Sequence, residues 1–196
     1  MIVGDPPAVT LREACAGDSL AVAEVNIRSW QESFPGRPLH AGECSIEQRA
    51  AMFRRRFDAP FYRMHVAEAH GRVVGFVDVG SPRNGRWNCD AELYAIYVLK
   101  AFQRHGLGRR LFDLACEAVV AANRRSMYLI ALQDSPYRVF YERLGARQLA
   151  LRAAGVVPGQ EAHVIYAWSD LLQRTGEPHL TREEPAGLAA LDRDLE

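Results

Sequence analysis

Apolar positions recur along the chain with two periods, and the alternation of those periods outlines a fold. Short runs rich in aromatic and β-branched residues read as strands. They run from Val9 to Glu13, Phe61 to Glu68, Arg72 to Gly80, Leu93 to Leu99, Met127 to Leu132, Arg147 to Arg152 and Ala162 to Trp168. The spacing between them is helical. Ala23, Ile27, Trp30 and Phe34 fall on one helix face behind Asp18, which suits an N-cap, and Pro35-Gly36 stops the pattern. Ser45-Ile46-Glu47-Gln48 has capping-box form and leads into Ile46, Ala50, Phe53 and Phe57. Leu107, Leu111, Leu114, Ala115, Ala118, Val119 and Ala122 outline a third helix. Pro136 suits the first turn of a short fourth helix, which carries Val139, Phe140 and Leu144 inward and ends at Gly145. His70-Gly71 marks a hairpin, Gly75 a bulge, and Ser81 to Gly85 a loop. The order is β-α-α-β-β-β-α-β-α-β-β, an α/β chain with no internal repeat.

Composition narrows the classes. A chain of 196 residues suits one domain, here residues 1–170, and 48% hydrophobic with 24% charged residues is a globular balance. Residues 171–196 form a C-terminal extension. Pro185 suits a helix start there and Leu188, Leu191 and Leu195 keep helical spacing, with a frayed tail as the alternative. Zero formal net charge argues against a nucleic-acid partner. No apolar run reaches the ~18 residues of a membrane span, and the N-terminus does not read as a leader, so a cytoplasmic monomer or homodimer is expected. Cys15, Cys44, Cys89 and Cys116 are far apart and the histidines form no ligand pair, so no metal is expected. The basic run Arg54-Arg55-Arg56 reads as a solvated helix end, or as a contact for substrate or partner.

One stretch carries chemistry. Glu92 to Val119 reads as a buried strand, a turn with two glycines (Gln103-Arg104-His105-Gly106-Leu107-Gly108) and a helix start. The first amides of a helix lack intrahelical partners and sit at the positive end of its dipole, so this arrangement binds anions. The spacing fits neither a Walker loop, since no Lys-Ser or Lys-Thr follows Gly108, nor a dinucleotide fingerprint, since position 111 is Leu.

Gln-x-x-Gly-x-Gly after Leu-Tyr-Ala-Ile-Tyr-Val resembles the acyl-CoA loop of the GNAT superfamily of N-acyltransferases, and the element order from Val9 to Trp168 is also that of the GNAT fold. The resemblance implies a central mixed, mostly antiparallel sheet, acetyl-CoA as co-substrate and an amine acceptor. It implies that amides from Arg104 to Arg109 hold the pyrophosphate. It further implies that the fourth strand bulges and splays from the fifth, that Ile96, Tyr97 and Val98 line the pantetheine arm, and that a main-chain N–H near Val98 polarises the thioester. Phe140-Tyr141-Glu142-Arg143-Leu144-Gly145 resembles the family segment whose tyrosine protonates the leaving thiolate. A phenol with a pKa near ~10 is protonated at neutral pH and suits that task. Ser135 stands where the family often has a cofactor-contacting Asn. Glu92 stands where related enzymes often place a general base, Asp90 shares its face by alternation, and an exposed strand-end charge is the alternative for Glu92. Trp30 and Phe34 fall where relatives form an acceptor wall, or belong to the core. The rival readings are a CoA-binding module without turnover and a structural partner of another acyltransferase.

Overall fold

The computed structural model describes residues 8–39, 45–153 and 161–175. Its strands are β1 (Val9–Glu13), β2 (Tyr62–Ala69), β3 (Arg72–Gly80), β4 (Ala91–Val98), β5 (Met127–Leu132), β6 (Arg147–Arg152) and β7 (His163–Trp168). Its α-helices are α1 (Ser19–Ser33), α2 (Ile46–Arg56), α3 (Leu107–Ala121) and α4 (Arg138–Arg143). The seven strands form one sheet in the order β1-β2-β3-β4-β5-β7-β6. Every pairing is antiparallel except β4 with β5. This is the mixed, mostly antiparallel sheet expected. Cys44 and the leucines at 188, 191 and 195 lie outside the described residues. No helix among the described residues is long and apolar enough to cross a membrane.

Alternation along β3 assigns the layers. Phe76 meets Phe53 of α2 edge-on at 5.5 Å, whereas Gly75 lies against Leu111 of α3. Helices α1 and α2 therefore cover one face of the sheet and α3 the other. The core between them includes Val22, Phe53, Val66, Phe76, Val79, Leu111, Phe112 and Val119. A smaller cluster of Tyr128, Ile165 and Ala167 lies under Trp87 and Cys89.

Several local expectations shift. The buried stripe of α1 is Ser19, Val22, Ala23, Val25, Asn26 and Ser29, which leaves Trp30 and Phe34 half-buried. Asp18 occupies the N-cap position of α1 without capping it; its carboxylate accepts from the Cys15 amide at 2.9 Å and pairs with Arg12 at 2.8 Å. In α2 the buried residues are Arg49, Ala50 and Phe53, while Ile46 is exposed. Helix α4 starts at Arg138, two residues beyond Pro136, and Val139 is 50% exposed. Burying one face of so short a helix needs only Leu144 and part of Phe140, so Val139 is left outside. His70 and Gly71 both have positive φ, as a two-residue hairpin requires. The β2–β3 bulge is at Val74, beside Gly75: Ala67 faces Gly75 and Glu68 faces Val73.

Candidate active site

Strands β4 and β5 pair only at Ala91 with Met127 and Glu92 with Tyr128. Beyond Glu92 they part, and the β5-side edge of β4 has no strand partner. Within the same stretch β4 carries an extra residue: Val79 faces Leu93 and Asp78 faces Ala95, which leaves Tyr94 as the bulge. A bulge bends its strand and increases its twist, so it turns the edge of β4 away from β5. Periodicity cannot show this splay, because it depends on pairing between distant segments.

The glycine turn follows the end of β4 at which the two strands have parted. Arg104 (φ 68°) and Gly106 (φ 75°) both take the left-handed conformation, and Gly106 is the N-cap of α3. Gln103 donates from Nε2 to the Val98 carbonyl at 2.8 Å, so its side chain ties the turn to the end of β4. Among the described residues none of the amides from Arg104 to Arg109 donates a hydrogen bond within the chain, whereas Arg110 donates to Gly106 at 3.1 Å. Arg104, His105, Gly106, Arg109 and Arg110 are exposed and Leu107 is buried beneath them. A row of free N–H donors at a helix start, flanked by arginines, is an anion cradle. Gly108 also lets α4 approach, since a Cβ there would lie 3.3 Å from Phe140.

Tyr141 lies on α4 across the gap. Its ring is 5.4 Å from Phe140 and 6.2 Å from Tyr166, and its hydroxyl makes no hydrogen bond among the described residues. Burial pushes its pKa up, with the nearby Tyr97 and Tyr137 acting in the same direction, so the phenol stays protonated at neutral pH. Tyr97 faces the α1 side, where its ring lies 5.8 Å from Phe76, and burial pushes it up to about 12. Helix α4 is held from β7. Arg138 Nε donates to Tyr166 Oη at 3.0 Å, Tyr166 Oη donates to Glu142 at 2.6 Å, and Trp168 Nε1 donates to the Leu144 carbonyl at 2.8 Å. Ser135 Oγ accepts from the Tyr137 amide at 3.2 Å, which shapes the turn into α4.

The two acidic candidates separate. Asp90 precedes β4, is exposed, and accepts from the Arg125 and Ser126 amides at 2.8 and 2.9 Å, which hold its carboxyl below the usual carboxylate range. Glu92 is 0% exposed and both its oxygens are engaged. Oε1 pairs with the Arg83 guanidinium, and Oε2 accepts from the Arg83 amide at 2.8 Å and from Tyr128 Oη at 2.7 Å.

Trp30 and Phe34 touch at 4.5 Å, and Trp30 Nε1 donates to the Arg37 carbonyl at 2.9 Å. Arg37 in turn pairs with Asp134, just past the end of β5, at 2.6 Å and with Glu161 at 3.1 Å. A cavity of about 460 Å³ lies there, lined by Arg37, Gln133, Asp134, Arg138, Glu161 and Ala162.

Sequence reasoning missed a second buried carboxylate. Asp78 is 0% exposed, accepts from Arg56 Nη1 at 2.5 Å and from Tyr62 Oη at 3.0 Å, and faces the bulge. Arg56 is thus drawn inward from the basic run read as solvated. The signal was a lone aspartate inside the apolar run Val73 to Val79.

Residues 60–145 match the family described as the acetyltransferase (GNAT) domain. An uncharacterized N-acetyltransferase, YuaI, from Bacillus subtilis strain 168 is 26% identical over 170 residues, covering 83% of this chain and 94% of its own. YncA from Salmonella typhimurium, solved with its cofactor acetyl-CoA, superposes with a TM-score of 0.66 at 20% identity, covering 90% of this chain and 98% of its own. A protein of the GNAT family from Desulfovibrio desulfuricans gives 0.64 at 22% identity, covering 84% and 99%. The likeness to these two solved structures is one of fold.

Proposed function

We propose that the chain is an acetyltransferase of the GNAT superfamily, a reading supported by the family match over residues 60–145 and the likeness to YuaI, and that it transfers the acetyl group of acetyl-CoA to a primary amine by direct attack. One observation carries the reading: the unpaired amides from Arg104 to Arg109 stand at the open end of the gap between β4 and β5. A diphosphate on those amides would lead a pantetheine arm along Val98, Tyr97 and Ile96, whose strand edge is unpaired on that side.

The chemistry asks four things. The cradle holds the pyrophosphate. A main-chain N–H near Val98 polarises the thioester carbonyl as negative charge grows on oxygen. The amine nitrogen attacks the carbonyl carbon, the C–S bond breaks, and Tyr141 Oη gives its proton to the thiolate. The fourth need is removal of a proton from the amine, which passes to solvent water, and solvent then returns a proton to Tyr141. An alkylammonium with pKa ~10.4 is neutral only about once in a thousand at pH 7, whereas an α-amino group near ~8 needs little help.

Glu92 is a poor vehicle for that proton, because both oxygens already accept hydrogen bonds and the guanidinium of Arg83 stabilises its charge. We read it as an anchor for the loop that carries Arg83. Glu92→Gln is then expected to lower the melting temperature while keeping the acid limb of the kcat/KM profile against pH. Loss of that limb would return Glu92 to the role of base.

Thiol release from acetyl-CoA, measured across small amines, polyamines and peptide N-termini, tests the main reading. Turnover with any class supports transfer. CoA binding without turnover supports a binding module, and absence of CoA binding removes both.

A further inference from the structure

The bulge residue Tyr94 is gripped by two ion pairs that do not bond each other. Arg56 lies with Cζ 4.9 Å from the centre of the Tyr94 ring, and Arg83 with Cζ 5.0 Å from it. Each guanidinium is tied to a carboxylate that is 0% exposed, Asp78 for Arg56 and Glu92 for Arg83. Those carboxylates sit on different strands, β3 and β4, on either side of the bulge in the pairing register. The phenol donates to the Ser81 carbonyl at 2.5 Å, and Tyr62 stacks on the ring at 6.3 Å with an interplanar angle of 21°. Gly80 makes the room, since a Cβ there would stand 2.5 Å from the Tyr94 hydroxyl.

Two buried carboxylates are costly to keep. Removing either arginine strands a charge, and hydrophobic replacements of the same volume often serve stability as well. Core packing alone therefore gives little reason to place two such pairs against one aromatic ring. A ring face attracts a cation, and two fixed cations define its plane better than one. Tyr94 is also the extra residue of β4, so fixing its ring fixes the backbone of the bulge from Tyr94 towards Tyr97.

We propose that Asp78–Arg56 and Glu92–Arg83 form a clamp on Tyr94 that sets the angle of the β4 edge, and so aims the main-chain donor that polarises the acetyl thioester. The idea rests on the acetyl-transfer reading above. Asp78, Arg56, Arg83, Glu92 and Tyr94 are positioning residues, because none has to touch the reacting atoms. A misplacement of about 1 Å costs on the order of 10²-fold in rate, so loosening the ring should lower kcat and leave the pyrophosphate grip unchanged.

The experiment combines a mutant cycle with a readout that needs no substrate. Tyr94→Leu is expected to lower kcat about 30- to 100-fold, with the CoA dissociation constant from calorimetry changed less than threefold. Arg56→Gln and Arg83→Gln should each lower kcat about tenfold, act less than additively together, and add nothing in the Tyr94→Leu background. Should these variants fold poorly, Tyr94→Phe and Arg83→Lys make the same comparison with smaller losses. Amide hydrogen exchange at residues 94–97 should quicken in both single arginine variants, whether or not an acceptor has been found. Additive effects on kcat in both backgrounds, or unchanged exchange at the bulge, would overturn the clamp. A wild-type protein that binds no CoA overturns the acetyl-transfer reading instead, and the exchange result then still decides whether the clamp exists.

Discussion

The two walls of the gap are built on different principles. The β4 wall is anchored in depth: it pairs with β3 along most of its length, backs onto Phe76 and Phe53, and is flanked by two fully buried carboxylates with their arginines, Glu92 on β4 and Asp78 on β3. The α4 wall is a helix of six residues, none of them buried, held by hydroxyl and indole bonds from β7 and by Phe140 against Gly108. The division suits the two tasks proposed for these walls. A dipole that must meet a growing charge works best when it is already in place. A proton donor has to come within hydrogen-bond reach of a sulfur whose position changes as its bond breaks. Depth of packing therefore follows the need for fixity, wall by wall.

Four measurements can break or sharpen this contrast. The largest effect belongs to the turn where the walls meet. Gly106→Val puts a β-branched residue at a φ of 75° and should cost more than about 10²-fold, or ~3 kcal/mol, in CoA affinity by calorimetry. Retained affinity would detach the cradle from the ligand. Next comes the α4 wall. Tyr141→Phe should lower kcat by about 10²-fold with CoA affinity kept, and unchanged turnover would remove Tyr141 from the chemistry.

The third test sets one wall against the other in stability. Gly80→Ala drives a methyl into the Tyr94 phenol and should destabilise by about 1–3 kcal/mol. Val139→Ser on the exposed side of α4 should stay within about 0.5 kcal/mol. Equal melting temperatures would erase the contrast.

The smallest effect concerns pH. The Arg12 guanidinium holds the Asp18 carboxyl at about 2, below its ordinary value of 3.8. A depressed folded-state pKa favours the folded chain above the unfolded value and loses that benefit as pH falls from near 4 through about 2. Because the pair is partly exposed, the contribution is on the order of 1 kcal/mol. Asp18→Asn should remove that part of the acid dependence and leave the rest of the curve in place.

The glycine turn was legible because its chemistry is local. The amides of a helix start have no intrahelical partners, a glycine N-cap offers them no side-chain acceptor, and glycine spacing declares where a backbone can bend. The motif around Tyr141 marked the short helix that carries it, and its role as proton donor stays a proposal. The inner face of α1 was not, because Asn26 and Ser29 lie on the buried stripe while the aromatic Trp30 and Phe34 lie at its margin. A periodicity reading follows the larger apolar side chains and so rotates the helix. The engagement of Glu92 was hidden too, since its partners are nine and thirty-six residues away.

The order of the elements, the hairpin, the glycine turn before α3 and the short helix that carries Tyr141 were determined by the chain's own pattern, since each depends on residues within a few positions of one another. The parting of β4 from β5, the bulge at Tyr94 and the inward turn of Arg56 were decided by tertiary structure. They arise where segments far apart in sequence compete for the same buried space, and burial makes an unpaired charge too costly to leave alone.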